Sequence, residues 1–354
     1  MSFEDGIRKV VPYVAGEQPA DRNIIKLNTN ENPYPPAPGV QTALRELADR
    51  SAELRLYPDM NAAPLTAALA KKYGLDPEQI YVGVGSDDVL SMCFLTFFNT
   101  GKPILFPDIT YSFYDVWADL YRIPYIQVPL DENFDICADG YLRDNGGVIF
   151  PNPNAPTGVE ADPQTVEKII AGNPGSIVIV DEAYVDFGAR SVLPLLDRYE
   201  NLIVVQTFSK SRAMAGMRIG FAMASPGLIR ALKDVKFSFN SYTMNLPSIL
   251  CGAEAVKDDG YFREITAKIV SAREDFEEKL RGMGFVFRNS KSNFVFARHP
   301  DISGDELFEK LRGKNICVRH FGRPRIREYL RITIGTPAQM EAVTHALKEI
   351  LEER

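Results

Sequence analysis

Between residues 61 and 225, short apolar runs alternate with helical patterns, and that alternation constrains the fold of this 354-residue chain more than any other feature. A helix reads over "APLTAALAKKYG" and stops at Gly74. It is followed by the strand "QIYVGVG", a helix from Ser86 to Phe98, the strand "KPILFP", a helix near Tyr111 to Tyr121, and the strands "PYIQVPL" and "GGVIFPN". A helix from Pro163 to Ala171 and the strands "SIVIVDEAY", "NLIVVQTFSK" and "RIGFAMAS" continue the series. Near-continuous apolar strands separated by helices belong to a mostly parallel sheet covered on both faces, so the expected class is α/β.

The pattern changes after Cys251. A long amphipathic helix, about Tyr261 to Arg281, leads into "FVFRNSKSNFVFARH", a helix near Asp305 to Arg312, "ICVRHF", "YLRITIGT" and a terminal helix from Pro337. These elements predict a smaller α+β unit of ordinary domain size. The expected division is a large domain over 40–255, with an N-terminal arm (1–39) and a small C-terminal domain (256–354). The Pro-rich "NTNENPYPPAPG" reads as an extended connector ahead of the helices.

Composition narrows the function classes. The net charge of −7 comes without basic blocks, which argues against a nucleic-acid or anionic-membrane partner. Cys93, Cys137, Cys251 and Cys317 have no CxxC spacing and read as free thiols of a reducing compartment. His299, His320 and His345 lack metal-ligand spacing, so no metal is expected. The stretch "MSFEDGIRKVVPYVAGEQ" lacks the apolar segment of a secretory signal, and no long apolar run occurs, so the expected location is the cytoplasm.

In an open α/β sheet, ligands bind beyond the carboxyl ends of the strands, so polar residues that follow apolar runs are the candidates for chemistry. Four places qualify. In "VGVGSDDVL", Ser86 and Asp87 open a helix whose free N–H groups favour a phosphate, although either side chain could simply cap the helix. In "NPNAPTG", asparagines on a Pro/Gly-fixed loop can offer donors to a ligand oxygen or serve only the turn. In "VIVDEAYVDF", Asp181 ends an apolar strand, and a buried carboxylate there requires a protonated nitrogen or a strong donor, with Tyr184 in reach of the same ligand. In "VVQTFSKSRAMAGMRIG", Lys210 at a strand end can form a Schiff base with a carbonyl compound, while Thr207, Ser209 and Arg218 suit a phosphate dianion. Together these describe a phosphate-bearing aldehyde with a basic ring nitrogen, namely pyridoxal phosphate.

The segments "NTNENPYPP", "YPD", "GVGSDD", "NPNAPTG", "DEAY", "TFSKSRAMAGMRIG" and "LRITIGT" resemble, in order, those of the class II, fold-type I aminotransferases, most closely their histidinol-phosphate branch. The resemblance implies that Lys210 carries the cofactor, Asp181 pairs with its ring nitrogen, Tyr184 meets its phenolic oxygen and Tyr111 stacks on its face. It assigns Ser86, Asp87, Thr207, Ser209 and Arg218 to the phosphate cup, completed by Tyr57 from the second subunit of a homodimer. Arg331 would receive an anionic group of each substrate, helped by Arg319 and Tyr13. The implied reaction transfers the amino group of L-histidinol phosphate to 2-oxoglutarate, yielding glutamate. Threonine-phosphate decarboxylation and broad aromatic transamination are the alternatives within the fold. One position departs: Ala155 stands where the family carries an asparagine that contacts the phenolic oxygen, and Asn154 is the candidate to replace it.

Overall fold

The computed structural model describes residues 2–21 and 23–353. Its main sheet has seven strands, in the spatial order Ile80–Gly83, Gly220–Ala224, Leu202–Thr207, Val178–Asp181, Val148–Pro151, Ile104–Pro107 and Tyr125–Val128. All neighbours run parallel except Gly220–Ala224, which is antiparallel to the strands on either side of it. The sheet is thus mostly parallel, and one strand turned against the others is a feature that an apolar run cannot announce. Its position matters, because the tight return from 207 to 220 carries the segment around Lys210.

Apart from the edge strand Tyr125–Val128, where Ile126 and Gln127 are exposed, the strands are buried on both faces, and their period of two assigns each side chain to one of two cores. Val148, Phe150, Val178, Val180, Leu202 and Val204 face a core shared with helices Pro38–Asp49, Ala63–Tyr73, Pro163–Ala171 and Leu246–Lys257. Ile149, Ile179, Ile203 and Val205 face the opposite core, with helices Ser86–Phe97, Tyr114–Tyr121 and Pro226–Phe239. Each fully buried side chain of this size contributes about 1.5–3 kcal/mol. Polar residues cannot be placed inside such strands without losing that contribution. They therefore collect where the strands stop.

The C-terminal part forms a second, four-stranded antiparallel sheet, in the order Arg319–His320, Leu330–Thr333, Phe294–Arg298 and Val286–Phe287. Helices Asp259–Gly282, Gly304–Gly313 and Pro337–Glu352 cover it. The N-terminal segment is tied to this part, since Ile25–Lys26 pairs in parallel with Ile316–Cys317. The same core includes Leu27, Ala155, Tyr184 and Phe187, so it meets the main sheet at the ends of its strands.

Candidate active site

Register brings Pro151, Asp181 and Val205 side by side at the carboxyl edge of the parallel strands. A cavity opens directly beyond them. Asp181, Tyr184, Ser209, Lys210 and Arg218 line it, together with Ser86, Asp87 and Tyr111. Thus eight of the residues singled out from sequence converge on one space.

Asp181 is 4 % exposed, and its carboxylate accepts the Tyr114 hydroxyl at 3.0 Å and the Ala183 N–H at 3.1 Å. Burial raises its pKa to about 6, against the lowering effect of those two donors. Asp87 raises it further and Lys210 lowers it. Burial and the neighbouring carboxylate hold Tyr114 in its protonated form, so it acts as a donor. The outcome is a carboxylate supplied with two donors yet still poorly solvated, and a cation in the cavity would satisfy it.

Lys210 faces this carboxylate from the segment after Leu202–Thr207. Its Nζ donates to the Thr29 carbonyl at 3.2 Å and lies 5.6 Å from the Tyr184 ring centroid. The Asn32 amide donates to the Lys210 carbonyl at 2.9 Å, fixing the backbone that carries the amine.

The opposite wall is the N-terminus of helix Ser86–Phe97. The cap is Gly85, with no side-chain hydrogen bond to the first turn, so neither Ser86 nor Asp87 consumes the free N–H groups by capping. The Arg218 guanidinium packs against this turn. A Cβ at Gly85 (φ +91°) would collide with it, and one at Gly220 would collide with the Gly85–Ser86 backbone. Free helix N–H groups, a guanidinium and the Ser86 and Ser209 hydroxyls form a site for a dianion. The Asp87 carboxylate instead accepts the Tyr111 hydroxyl at 2.7 Å and stands 3.7 Å from Arg218, so it orients the ring rather than the anion.

Two positions depart from expectation. Asn154 does not line the cavity: its amide donates to the Ile109 carbonyl and the Thr157 hydroxyl, both at 3.0 Å, while Ala155 presents its methyl group instead. Thr207 is also turned away, donating to the Ile219 carbonyl at 3.3 Å and accepting the Ser209 N–H at 3.1 Å. Turn residues of this type satisfy their own backbone first.

The anion-binding candidates lie beside the cavity rather than in its lining. Arg331 and Arg319 are direct partners across antiparallel strands. Arg331 donates to the Asn28 carbonyl at 3.0 Å, its Nε has no partner among the described residues, and burial lowers its pKa. Two like charges directly opposite each other destabilise a sheet unless an anion joins them. Tyr13 stacks on Phe113 with centroids 4.1 Å apart and acts electrostatically on both Arg331 and Tyr111. Tyr57 is 82 % exposed, packs at a tilt against Tyr242 with ring centroids 4.7 Å apart, and is not in the lining of this chain's own cavity.

Comparison with known proteins gives the same picture. The model of the family "Aminotransferase class I and II" matches residues 22–347. The chain belongs to that family. Histidinol-phosphate aminotransferase of Lactococcus lactis subsp. cremoris is 47 % identical over 354 residues, spanning 100 % of this chain and 99 % of its own. That of Pseudomonas putida is 49 % identical over 342 residues, spanning 96 % and 97 %. The crystal structure of histidinol-phosphate aminotransferase from Sinorhizobium meliloti, in complex with pyridoxal-5'-phosphate, superimposes with a TM-score of 0.87 at 24 % identity, covering 97 % of this chain and 96 % of that one. The fold is therefore that of this aminotransferase, and among the described residues no helix is long and apolar enough to cross a membrane.

Sequence reasoning missed four contributors to the aminotransferase site. Thr29 and Glu31 line the cavity from the segment read as a connector. Asn30 donates to the Tyr184 hydroxyl at 2.8 Å. Tyr114, the partner of Asp181, opens helix Tyr114–Tyr121 and lies 67 residues away in sequence.

Proposed function

We propose that this chain binds pyridoxal 5'-phosphate and moves the amino group of L-histidinol phosphate to 2-oxoglutarate, giving imidazole acetol phosphate and L-glutamate. The observation that carries the reading is the Arg331 guanidinium, with an Nε unpartnered among the described residues and Arg319 directly opposite it, beside a cavity lined by both Lys210 and Asp181. A buried guanidinium can accept a phosphate from one substrate and a carboxylate from the other. The names of relatives sharing 47–49 % of their residues over nearly the full chain favour the same substrates.

The residues present fit the cofactor. Asp181 lacks a cation, the helix opening at Ser86 lacks a side-chain cap, Gly85 leaves room for Arg218 beside it, and Gly220 leaves room for the Gly85–Ser86 backbone. When bound, pyridoxal phosphate supplies an aldehyde for the amine and a ring that accepts the electrons of the substrate's Cα–H bond. Lys210 Nζ would hold the cofactor through its aldehyde carbon and, when free, would take the proton from the substrate's α-carbon and deliver it to that aldehyde carbon. Asp181 keeps the ring nitrogen protonated, and Tyr184 donates to the phenolic oxygen. Ser86, Ser209 and Arg218 hold the phosphate, while Tyr111, oriented by Asp87, covers the ring face. Arg331, Arg319 and Tyr13 place the substrate anion.

The reading includes a cytoplasmic homodimer in which Tyr57 completes the phosphate site of the other subunit, and a division at about residues 40 and 255 into a large domain and an arm with a small domain. Support for the first comes from the exposure of Tyr57 and its separation from the cavity of its own chain.

The deciding experiment assays the purified protein with histidinol phosphate, phosphothreonine, phenylalanine and tyrosine, using 2-oxoglutarate as acceptor. Histidinol phosphate is expected to give the highest kcat/KM by tenfold or more, on the order of 1.4 kcal/mol of transition-state preference. Release of carbon dioxide from phosphothreonine, or equal rates on the aromatic amino acids, overturns the assignment.

A further inference from the structure

The methyl group at Ala155 removes one donor from the neighbourhood of the phenolic oxygen, so the direction of the remaining one, the Tyr184 hydroxyl, carries more weight. A phenol O–H lies in the ring plane and can point to either side of the C–O bond. Which side it takes depends on what occupies the other.

Asn30 occupies it. Its Nδ2 donates to Tyr184 Oη at 2.8 Å, in a contact buried from solvent. Tyr184 lines the cavity and Asn30 does not. A phenol oxygen that accepts a hydrogen bond on one in-plane lone pair must direct its proton to the other side, and accepting it also strengthens the donation. Asn30 is itself held by three further bonds, one to its amide oxygen and two to its backbone. The Asn30 N–H donates to Thr333 Oγ1 at 3.1 Å, Thr333 Oγ1 donates to Asn30 Oδ1 at 3.1 Å, and Asn293 Nδ2 donates to the Asn30 carbonyl at 3.0 Å. Asn30 is 1 % exposed and adopts a left-handed backbone (φ 57°), which asparagine tolerates better than most residues. The Tyr184 ring is pinned in turn by the edge of Phe294, with centroids 5.2 Å apart.

We propose that Asn30, fixed by Thr333, is a positioning residue that aims the Tyr184 hydroxyl proton into the cavity, toward the phenolic oxygen of the cofactor. The inference rests on the cofactor reading above. It ties the site to strand Leu330–Thr333, because Thr333 and the anion-binding Arg331 project from the same side of that strand. The charged and titratable groups facing Tyr184 are Lys210, 5.6 Å from its ring, and Arg331 and Tyr111, which act on it electrostatically. Asp181 and Glu31 act on Lys210 from the other walls.

The test is the pH midpoint of the visible absorbance change of the bound cofactor, with cofactor affinity measured alongside. The phenolic oxygen divides its lone pairs between Tyr184 and the protonated nitrogen of Lys210. Loss of the Tyr184 donor therefore lets that nitrogen keep its proton to higher pH. Tyr184→Phe is expected to raise the midpoint by about one pH unit, and Asn30→Ala by about half a unit in the same direction. Asn30→Ala combined with Tyr184→Phe is expected to shift no further than Tyr184→Phe alone, because the amide acts through the hydroxyl. If Asn30→Ala does not fold, Thr333→Val carries the test, with a smaller upward shift that Thr333→Ser abolishes. A parent protein without a visible band sinks the cofactor reading and this inference together. A shift in Tyr184→Phe with none in Asn30→Ala or Thr333→Val overturns only the inference, as does full additivity in the double variant; either result means that the amide does not act through the Tyr184 hydroxyl.

Discussion

The floor and the rim of the cavity are built on different terms. On the floor, Asp181, Tyr184 and Lys210 sit at or just beyond the ends of adjacent strands, and each is held by a hydrogen bond from within the chain, with Tyr114, Asn30 and Thr29. At the rim, Arg319 and Arg331 face each other as like charges, Tyr13 comes from the arm, and Tyr57 is exposed to solvent. Groups needed in one geometry at every turnover are fixed by buried strands, where a misplacement of a fraction of an ångström is resisted by packing. Of the groups at the rim, Arg331 keeps one donor unpartnered among the described residues, its Nε, and Tyr57 stands exposed.

Breaking the floor gives the largest expected effect. Lys210→Ala removes both the covalent anchor and the proton carrier, so turnover is expected to fall by more than ~10⁴-fold. Borohydride reduction followed by mass analysis should find cofactor attached to the parent at Lys210 and none attached to the variant. A variant that keeps even a tenth of the parent's rate would show that the amine is not where the chemistry happens.

Asp181→Asn breaks the floor more gently, since the amide keeps the shape and loses the charge. A loss of about 10²–10³-fold in turnover is expected, typical of removing one fixed electrostatic group, with the cofactor still bound. The pH dependence has a definite sign. Burial raises the carboxyl to about 6, so the charged form that attracts the ring cation prevails above that pH and is lost below it. The parent's advantage over the variant in cofactor affinity should therefore be largest above pH 6 and shrink as the pH falls through it. Equal affinities of parent and variant at pH 8 would mean that Asp181 serves the fold alone.

The same contrast explains what could be read from the sequence. Lys210, Asp181 and Tyr184 were legible because a polar residue at the end of a buried parallel strand has only one place to be, and that place is local information. Their partners were not. Tyr114 lies 67 residues from Asp181, Asn30 lies 154 from Tyr184, and Thr333 lies 303 from Asn30. Such pairings depend on how the sheets meet, which no periodicity encodes. Asn154 and Thr207 are close to the site in sequence, but their side chains are bonded elsewhere, to the carbonyls of Ile109 and Ile219. The antiparallel course of Gly220–Ala224 was hidden because a strand buried on both faces has the same composition in either direction.

At the rim, Tyr57 offers the sharpest contrast with the floor, although its own effect is the smallest. Within one chain it is a turn tyrosine resting on Tyr242, and it could remain so. If it completes the site of the other subunit, each active site is built from two chains, and Tyr57→Ala alone should weaken cofactor binding only about tenfold, the loss of one hydrogen bond to a charged group. The decisive measurement mixes two defective proteins. A two-fold dimer of one Lys210→Ala subunit and one Tyr57→Ala subunit has one doubly defective site and one intact site. Random exchange of equal amounts makes about half the dimers hybrid, so roughly a quarter of all sites should regain full activity. Subunit exchange is established separately with differently tagged chains. A mixture that exchanges yet shows no more activity than the mean of its two components would place Tyr57 in its own chain's surface, and the rim would then be built, like the floor, from a single subunit.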